Sequence, residues 1–341
     1  MTDSTMETLF IKNTDVEKWF GAVVAAMDRV YAPVVRTDGK IAFTKTEKYS
    51  DVASDYIQTV HSAKDVLFPR TERLFSYRKD GKNISVDDFD PSTVPSTVLW
   101  QVRPCDAASV FPLDAVFNWD YHDKMYNARR EKTTIVALSC DKADAYCFCT
   151  SVGGGPGSSR GADVLLTRTP EGMIAEVVTE KGGALVGLSR ELFSVYEKGG
   201  KDAYLADVPA VFSLEELKGK MKGMFDSPVW KRQSERCLGC GACAYVCPTC
   251  SCFDIQDSCA GAEGQRLRCW DSCGFAQFTI HTSGHNPRPT QASRWRQRLM
   301  HKFVYIPERE DSLGCTGCGR CSRACPVDMN IKEHLVSIEK I

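Results

Sequence analysis

The chain has 341 residues, 43% of them hydrophobic, which is enough for two domains that each bury a core. Its 43 basic and 44 acidic side chains nearly cancel, which argues against nucleic acid and membrane surfaces as partners. No apolar run of about 18 residues could span a bilayer, and the first residues lack the pattern of an export signal. We therefore expect a cytoplasmic protein.

An amphipathic helix is the first predicted element, with Asp15 as its candidate cap. Its apolar face would carry Trp19, Phe20, Val23, Val24, Met27 and Val30. Runs rich in β-branched residues then predict strands at 97–102, 134–138 and 163–167, and a helical pattern follows at 190–197. This mixture of helices and strands predicts a mixed α/β domain in the N-terminal part of the chain.

A charged stretch that favours a helix, 214–222, leads into a cysteine-rich region, so we predict one domain over 1–215 and a second over 216–341. The 17 cysteines are unevenly distributed: four lie between Cys105 and Cys149, and all the others lie from Cys237 onward. Because cytosolic thiols are kept reduced, metal ligation explains these cysteines better than disulfide bonds do.

Two copies of the run C-x2-C-x2-C-x3-C-P, at 237–248 and 315–326, are the pattern of bacterial two-cluster ferredoxins. Two-residue gaps let three thiolates reach one cluster from a single loop, and the fourth cysteine binds the other cluster. The sequence therefore predicts two [4Fe-4S] clusters. Their ligands would be Cys237, Cys240, Cys243 and Cys325 for the first cluster, and Cys315, Cys318, Cys321 and Cys247 for the second. Structural zinc is the rival interpretation, but zinc sites usually draw two pairs of ligands from separated knuckles.

The two motifs are unusually far apart, with 67 residues between Cys247 and Cys315. We predict an α+β protein: a mixed α/β N-terminal domain, then a ferredoxin-like C-terminal domain with a long insertion, 253–312, between its cluster motifs. The insertion includes a basic segment, 286–302, with arginines at 294, 296 and 298. We expect this segment to raise cluster potentials or to dock an acidic partner surface, since the near-neutral chain shows no aromatic-basic pattern for nucleic acid.

The chain resembles two related groups over nearly its full length: the iron-sulfur electron-transfer subunits of anaerobic sulfite reductases and the β subunits of cytoplasmic sulfhydrogenases. Arg103-Pro104-Cys105-Asp106 is closer to the sulfhydrogenases, because an alanine often replaces the proline in the sulfite reductases. The other matching segments are 237–252, Trp270 to Cys273, Arg296 to Arg298 with His301 and Lys302, Cys147 to Cys149, and the second cysteine motif.

This resemblance implies an electron-transfer subunit of a multisubunit oxidoreductase of anaerobic metabolism. Such a subunit passes electrons between a partner that binds flavin and NAD(P)H and a terminal reductase or hydrogenase. Similar subunits also occur beside heterodisulfide-reductase-like complexes.

The N-terminal part has four cysteines, the number that a [4Fe-4S] cluster requires: Cys105, Cys140, Cys147 and Cys149. Cys105 and Cys140 follow predicted strands, whose ends can gather side chains at one rim of a sheet. Count, clustering and the resemblance predict a third cluster here, and free buried thiols are the alternative. The remaining cysteines are candidates for a fourth cluster, for zinc or for packing: Cys250, Cys252, Cys259, Cys269 and Cys273.

Two further functions are compatible with these cysteines. The clusters could belong to a redox-sensing regulatory protein, although no DNA-reading segment is recognisable. Alternatively, a thiolate of Cys105 or Cys149 could react with a sulfur substrate, since a nearby Arg103 can lower a thiol pKa. An electron-transfer subunit remains the leading hypothesis, because the N-terminal domain and the insertion supply surface that a free ferredoxin does not need.

Overall fold

The computed structural model describes residues 7–341. Its strands form an eight-stranded and a four-stranded sheet. In chain order the strands are β1 (Glu7–Lys12), β2 (Arg29–Val35), β3 (Ile41–Lys45), β4 (Thr71–Asp80), β5 (Asn83–Asp88), β6 (Thr97–Val102), β7 (Thr133–Leu138), β8 (Val164–Arg168), β9 (Gly172–Val177), β10 (Phe193–Val195), β11 (Phe253–Ala260) and β12 (Glu263–Trp270).

The helices surround the larger sheet and build most of the C-terminal region. They are α1 (Asn13–Ala26), α2 (Lys64–Leu67), α3 (Pro104–Ala107), α4 (Val110–Asn118), α5 (Lys124–Lys132), α6 (Glu180–Gly187), α7 (Leu214–Lys222), α8 (Val229–Ser234), α9 (Ala242–Tyr245), α10 (Gln291–Met300), α11 (Ile306–Glu310), α12 (Arg320–Arg323) and α13 (Ile331–Glu339). None of the helices within 7–341 is both long and apolar enough to cross a membrane.

The larger sheet has the order β10-β1-β9-β8-β7-β6-β2-β3, and its central strands β2, β6, β7 and β8 are parallel. Every residue of β6 and β7 is buried, as expected for parallel strands that are covered on both faces. Helices α1 and α6 cover one face, where Trp19 packs against Trp100 with ring centroids 4.8 Å apart. Helices α4 and α5 cover the other face, where Leu113 and Phe117 are buried.

Most predicted N-terminal elements are present with small shifts in their bounds. Strand β6 spans the predicted 97–102, and β7 and β8 differ from prediction by one residue at their ends. Helix α1 buries Trp19, Phe20 and Val23, as predicted, but it begins before Asp15, and Val30 lies on β2 rather than on the helix.

The helix predicted at 190–197 is wrong. Residues 190–192 form one 3-10 turn, and β10 follows by pairing with β1 at the edge of the larger sheet. Residues of this stretch with helical spacing therefore form a strand, because pairing with a distant segment outweighs local propensity.

The smaller sheet joins the N-terminal part of the chain to the predicted insertion, in the order β11-β12-β4-β5. Strands β4 and β5 come from the N-terminal part, whereas β11 and β12 form a hairpin within the predicted insertion. The guanidinium of Arg268 on β12 is buried and forms ion pairs with Glu72 on β4 and with Asp123. The insertion is therefore packed onto the N-terminal part instead of projecting from the cluster motifs.

The C-terminal region has its own apolar core, which supports the loops of both cysteine motifs. Helices α7, α8, α10 and α13 contribute Leu217, Trp230, Trp295, Leu299 and Leu335 to it, all of them buried. Helix α7 has the bounds predicted from the sequence, and Ser213 caps it by accepting a hydrogen bond from the backbone N–H of Glu216. Phe148 from the N-terminal part also belongs to this core.

Candidate metal centres

The two cysteine motifs adopt the same local structure. In each motif a glycine with positive φ, Gly241 at 72° or Gly319 at 70°, immediately precedes a one-turn helix, α9 or α12. A Cβ atom at Gly241 would lie 2.5 Å from the ring of Phe275, and one at Gly319 would lie 2.6 Å from the carbonyl oxygen of Tyr146. Conformation and close packing both require glycine here.

The first three cysteines of the first motif face one cavity together with two cysteines of the second motif. Cys237, Cys240 and Cys243 line this cavity with Cys321 and Cys325. The sequence pattern predicts this exchange of the fourth cysteine between motifs. Cys240 is exposed to solvent, so this site opens at the surface of the protein.

The second predicted set, Cys247, Cys315, Cys318 and Cys321, is buried more deeply. Burial, and then the neighbouring thiolates of Cys318, Cys247 and Cys315, raise the pKa of Cys321 to about 12. Burial likewise raises the pKa of Cys315 to about 11, and Cys247 and Cys318 act in the same direction. The four thiols of this set are therefore close enough to affect one another's pKa.

Iron at these positions would stabilise buried cysteines in the charged thiolate form. Cluster ligands are thiolates, yet burial raises the pKa of Cys243, Cys315 and Cys321, which favours the neutral thiols. Positively charged iron stabilises thiolates in such surroundings, and protons leave as the metal binds. The two cysteine sets therefore fit the iron-sulfur clusters that their spacing predicts.

The four N-terminal cysteines lie beyond the carboxyl ends of β6 and β7, which are adjacent and parallel. The pKa of Cys140 is raised to about 12, mainly by burial, and Cys149 and Cys147 act in the same direction. Burial is the main reason why the pKa of Cys105 is raised. The charge of Asp106 raises it too, and Cys140 acts in the same direction. The fold thus gathers all four at one rim of the larger sheet, as expected from strand ends.

This rim lies directly against the second cysteine motif. The backbone N–H of Phe148 donates to the carbonyl oxygen of Gly317 over 3.0 Å. A Cβ atom at Gly317 would lie 2.6 Å from the Cα atom of Cys149. Cys105 and Cys149 line a small cavity that Cys315 of the second motif also borders. The N-terminal cysteines and the second set are therefore neighbours.

Ion pairs fasten the two regions together at the same place. Arg320 of the second motif pairs with Asp106, and both side chains are buried. Arg323 pairs with Asp144 over 2.6 Å and also reaches the sulfur atom of Cys147 at 3.4 Å. The charged side chains of one cysteine motif thus hold the loops that carry the N-terminal cysteines.

Several buried polar groups around these cysteines have no hydrogen-bond partner among the described residues. The N-terminal cysteines themselves receive few hydrogen bonds, one of them from Gln58 to the sulfur atom of Cys105 over 2.9 Å. Buried donors are rarely left unsatisfied. Those near these cysteines therefore indicate an additional acceptor, such as the sulfide atoms of a cluster. The unsatisfied donor atoms are Arg103 Nε, Thr150 Oγ1, Ser312 Oγ and Thr316 Oγ1.

Three of the five remaining cysteines lie near one another, and the other two lie elsewhere. Cys250, Cys252 and Cys273 lie close to the cluster motifs, and a hydrogen bond with Cys252 is the main reason why the pKa of Cys273 is lowered to about 6. Cys259 and Cys269 lie on the β11–β12 hairpin, opposite Gly264 and Asp254. Five residue steps along a strand separate these two positions, about 17 Å. A single site made from all five cysteines is excluded.

Single metal ions have no evident site. Within 7–341, no three or more His, Cys, Asp or Glu side chains are grouped closely enough to hold one ion. A zinc ion needs its sulfur ligands within about 2.3 Å of one point. The choice between zinc and iron-sulfur clusters therefore rests on the spacing of the cysteines.

Three cations beside the motifs are buried, which sequence reasoning did not predict. Lys64, Arg298 and Lys302 are each no more than 5% exposed. Hydropathy gives no signal for this burial, because cations of this kind normally lie at the surface. Only the spacing of Arg298 and Lys302, four residues apart in a helical segment, hints that both face the same side.

Comparison with known proteins agrees with this geometry. Residues 236–329 match the family described as a 4Fe-4S dicluster domain, so the chain is an iron-sulfur protein of the two-motif class. It is also 31% identical over 328 residues to the sulfhydrogenase 2 subunit beta of Pyrococcus furiosus, with 92% of each chain covered. The chain belongs to the family of that subunit, which confirms the predicted resemblance and an iron-sulfur electron-transfer role. No solved structure matches the chain.

Proposed function

We propose that this protein is a cytoplasmic iron-sulfur subunit that relays electrons between a partner that binds flavin and NAD(P)H and a terminal reductase or hydrogenase. The terminal partner would be a sulfhydrogenase, a sulfite reductase or a heterodisulfide-reductase-like enzyme. The relative's name supports the proposal, because it describes one subunit of a sulfhydrogenase. The chain would itself be non-catalytic, and the predicted division at residue 215 remains part of the proposal.

The observation that carries the proposal is that Cys325, with Cys321, reaches from the second motif into the cavity of the first motif. A cysteine shared between motifs is what two-cluster ferredoxins require. We assign one cluster to Cys237, Cys240, Cys243 and Cys325, and the second to Cys315, Cys318, Cys321 and Cys247. When bound, such clusters supply one-electron transfer, while the surrounding chain hydrogen-bonds ligand sulfur atoms, as Gln291 does at Cys237 and Lys302 at Cys247.

We further propose a third [4Fe-4S] cluster at Cys105, Cys140, Cys147 and Cys149. Three features support it: the four thiols are gathered at one rim, unsatisfied donors surround them, and Arg323 reaches Cys147 from the second motif. The contact between Gly317 and Cys149 would place this cluster beside the second one. The N-terminal domain would then take part in electron transfer instead of serving only as a scaffold.

The proposal can be tested with the full chain purified anaerobically through an affinity tag. We expect it to retain a flavoprotein, and we expect NADH or NADPH to bleach the iron-sulfur absorption only when that flavoprotein is present. A chain depleted of the flavoprotein should remain oxidised under the same conditions. Purification without any partner, together with cluster-dependent retention of DNA, would overturn the proposal in favour of a redox-sensing regulator.

A further inference from the structure

Three cations that are no more than 5% exposed lie beside the cysteine motifs and lack any carboxylate partner within 4 Å among the described residues: Lys64, Arg298 and Lys302. The other arginines that are buried to this extent, Arg103, Arg268 and Arg320, are paired with carboxylates. Arg320, for example, is 2% exposed and pairs with Asp106. An unpaired buried cation is strongly unfavourable, so each of the three requires negative charge from another source.

Lys302 lies against a proposed ligand of the second cluster. Its ammonium donates to the carbonyl oxygen of Gly314 over 2.7 Å and to the hydroxyl of Thr249 over 3.0 Å, and it lies 3.4 Å from the sulfur atom of Cys247. A Cβ atom at Gly314 would lie 2.8 Å from the Cα atom of Lys302, so glycine is needed for this approach. The ammonium is therefore fixed at one sulfur atom.

Arg298 lies between the two cysteine sets. One of its nitrogens donates to the carbonyl oxygen of Cys243, in the first set, over 2.9 Å, and another lies 3.5 Å from the sulfur atom of Cys250. Its positive charge lowers the pKa of Cys243 and also that of Cys321, in the second set, against the larger effect of burial. Arg298 also lines the cavity that the first set shares with Cys321 of the second set, whereas Lys302 contacts only the second set.

The helix that carries Arg298 and Lys302 changes from α-helical to π-helical geometry between these two residues. Helix α10 ends at Met300 and continues as a π-helical turn, His301–Tyr305, which contains Lys302. Such turns are rare and often occur at functional sites. Like charges four residues apart on one face repel each other, so this arrangement favours a negatively charged group that both cations approach.

We propose that Lys302 and Arg298 are positioning residues that raise the reduction potentials of the clusters. This inference rests on the ligand assignment proposed above. Reduction adds one electron to a thiolate-ligated cluster and removes no proton from either side chain. A fixed cation close to the ligands stabilises the additional negative charge, which raises the potential. Lys302 acts on the cluster that Cys247 binds, and Arg298 acts on both clusters of the C-terminal domain.

The test is a redox titration of the full, cluster-loaded chain, followed by low-temperature EPR. In Lys302→Met, a variant of similar length without the charge, one midpoint potential should fall while the other stays in place. In Arg298→Met, both midpoints should fall. Arg296→Met is the matched control, because Arg296 lies on the same helix but stacks on Phe225, with its guanidinium carbon 3.6 Å from the ring centroid. Neither midpoint should move in this control.

A charge-retaining variant separates an electrostatic role from a structural one. Lys302→Arg should keep both midpoints near those of the unmodified chain. Loss of iron in Lys302→Met but not in Lys302→Arg would also support the inference, since arginine keeps the positive charge and the hydrogen-bond donors that methionine lacks. Full iron in Lys302→Met with unchanged midpoints would overturn it, as would loss of iron in both variants. Absence of iron from the unmodified chain would instead contradict the proposed function.

Discussion

Arg320 and Asp106 form a bidentate ion pair, with two nitrogen-oxygen distances of 2.5 and 2.6 Å, in the interior between the two halves of the chain. Arg320 follows Gly319 in the second cysteine motif, and Asp106 follows Cys105. The guanidinium also donates to the carbonyl oxygen and the hydroxyl of Thr59, both over 2.9 Å. The ion pair therefore ties the loop of the second motif to the segment that carries the first N-terminal cysteine.

Replacing Asp106 by asparagine should strongly destabilise the protein, because it leaves Arg320 charged, buried and unpaired. We expect the free energy of unfolding to fall by about 3–5 kcal/mol. The shift of the urea midpoint of the cluster-loaded chain measures this change. Asp257→Asn, which breaks an exposed pair with Arg266, should leave the midpoint nearly unchanged. Equal midpoints for both variants would contradict a structural role for the buried pair.

Gly317→Ala should be much more damaging than Gly261→Ala, although both glycines have positive φ values, 66° and 62°. At Gly261 an added Cβ atom would meet nothing within 4 Å, so the cost is the conformational one of about 1 kcal/mol. At Gly317 the same atom would also collide with the backbone of Cys149. Thermal unfolding and iron content of both variants measure the difference, and similar results for the two would contradict this close contact.

Cys240→Ala and Cys318→Ala should each remove one cluster, and therefore about four iron and four sulfide per chain. Cys259→Ala is the matched control, since this cysteine is exposed on strand β11 and should leave the iron content unchanged. Iron and acid-labile sulfide analysis of anaerobically purified chains gives the answer. A full complement of iron in either ligand variant would show that the assignment is wrong.

Cys147→Ala should distinguish three clusters from two. If the N-terminal cysteines bind a cluster, the unmodified chain contains about twelve iron and the variant about eight. Cys269→Ala, on strand β12, should retain the full amount. EPR spectra of the reduced chains would show which signal disappears. About eight iron in both the unmodified chain and the variant would mean that the four N-terminal cysteines are ordinary buried thiols.

The sequence predicted the elements whose signals are local. Strand β6 and helix α7 have the predicted bounds. An apolar run favours the first and a capped, charged stretch favours the second, and both signals lie within the element itself. The prediction of a helix at residues 193–195 is wrong for the opposite reason. These residues form a strand only by pairing with β1, at the other end of the domain. Val30 was likewise assigned to a helix, although it lies on a strand that pairs with β6.

By itself, the sequence determined the class of this protein, because three ligands of each cluster lie within seven consecutive residues and require no knowledge of the fold. Only the tertiary structure decided how the N-terminal cysteines approach the second motif, how the insertion joins the smaller sheet, and that Lys302 lies beside Cys247. These relationships join residues far apart in the chain. They depend on packing and buried charge, which leave no periodic pattern for the sequence to reveal.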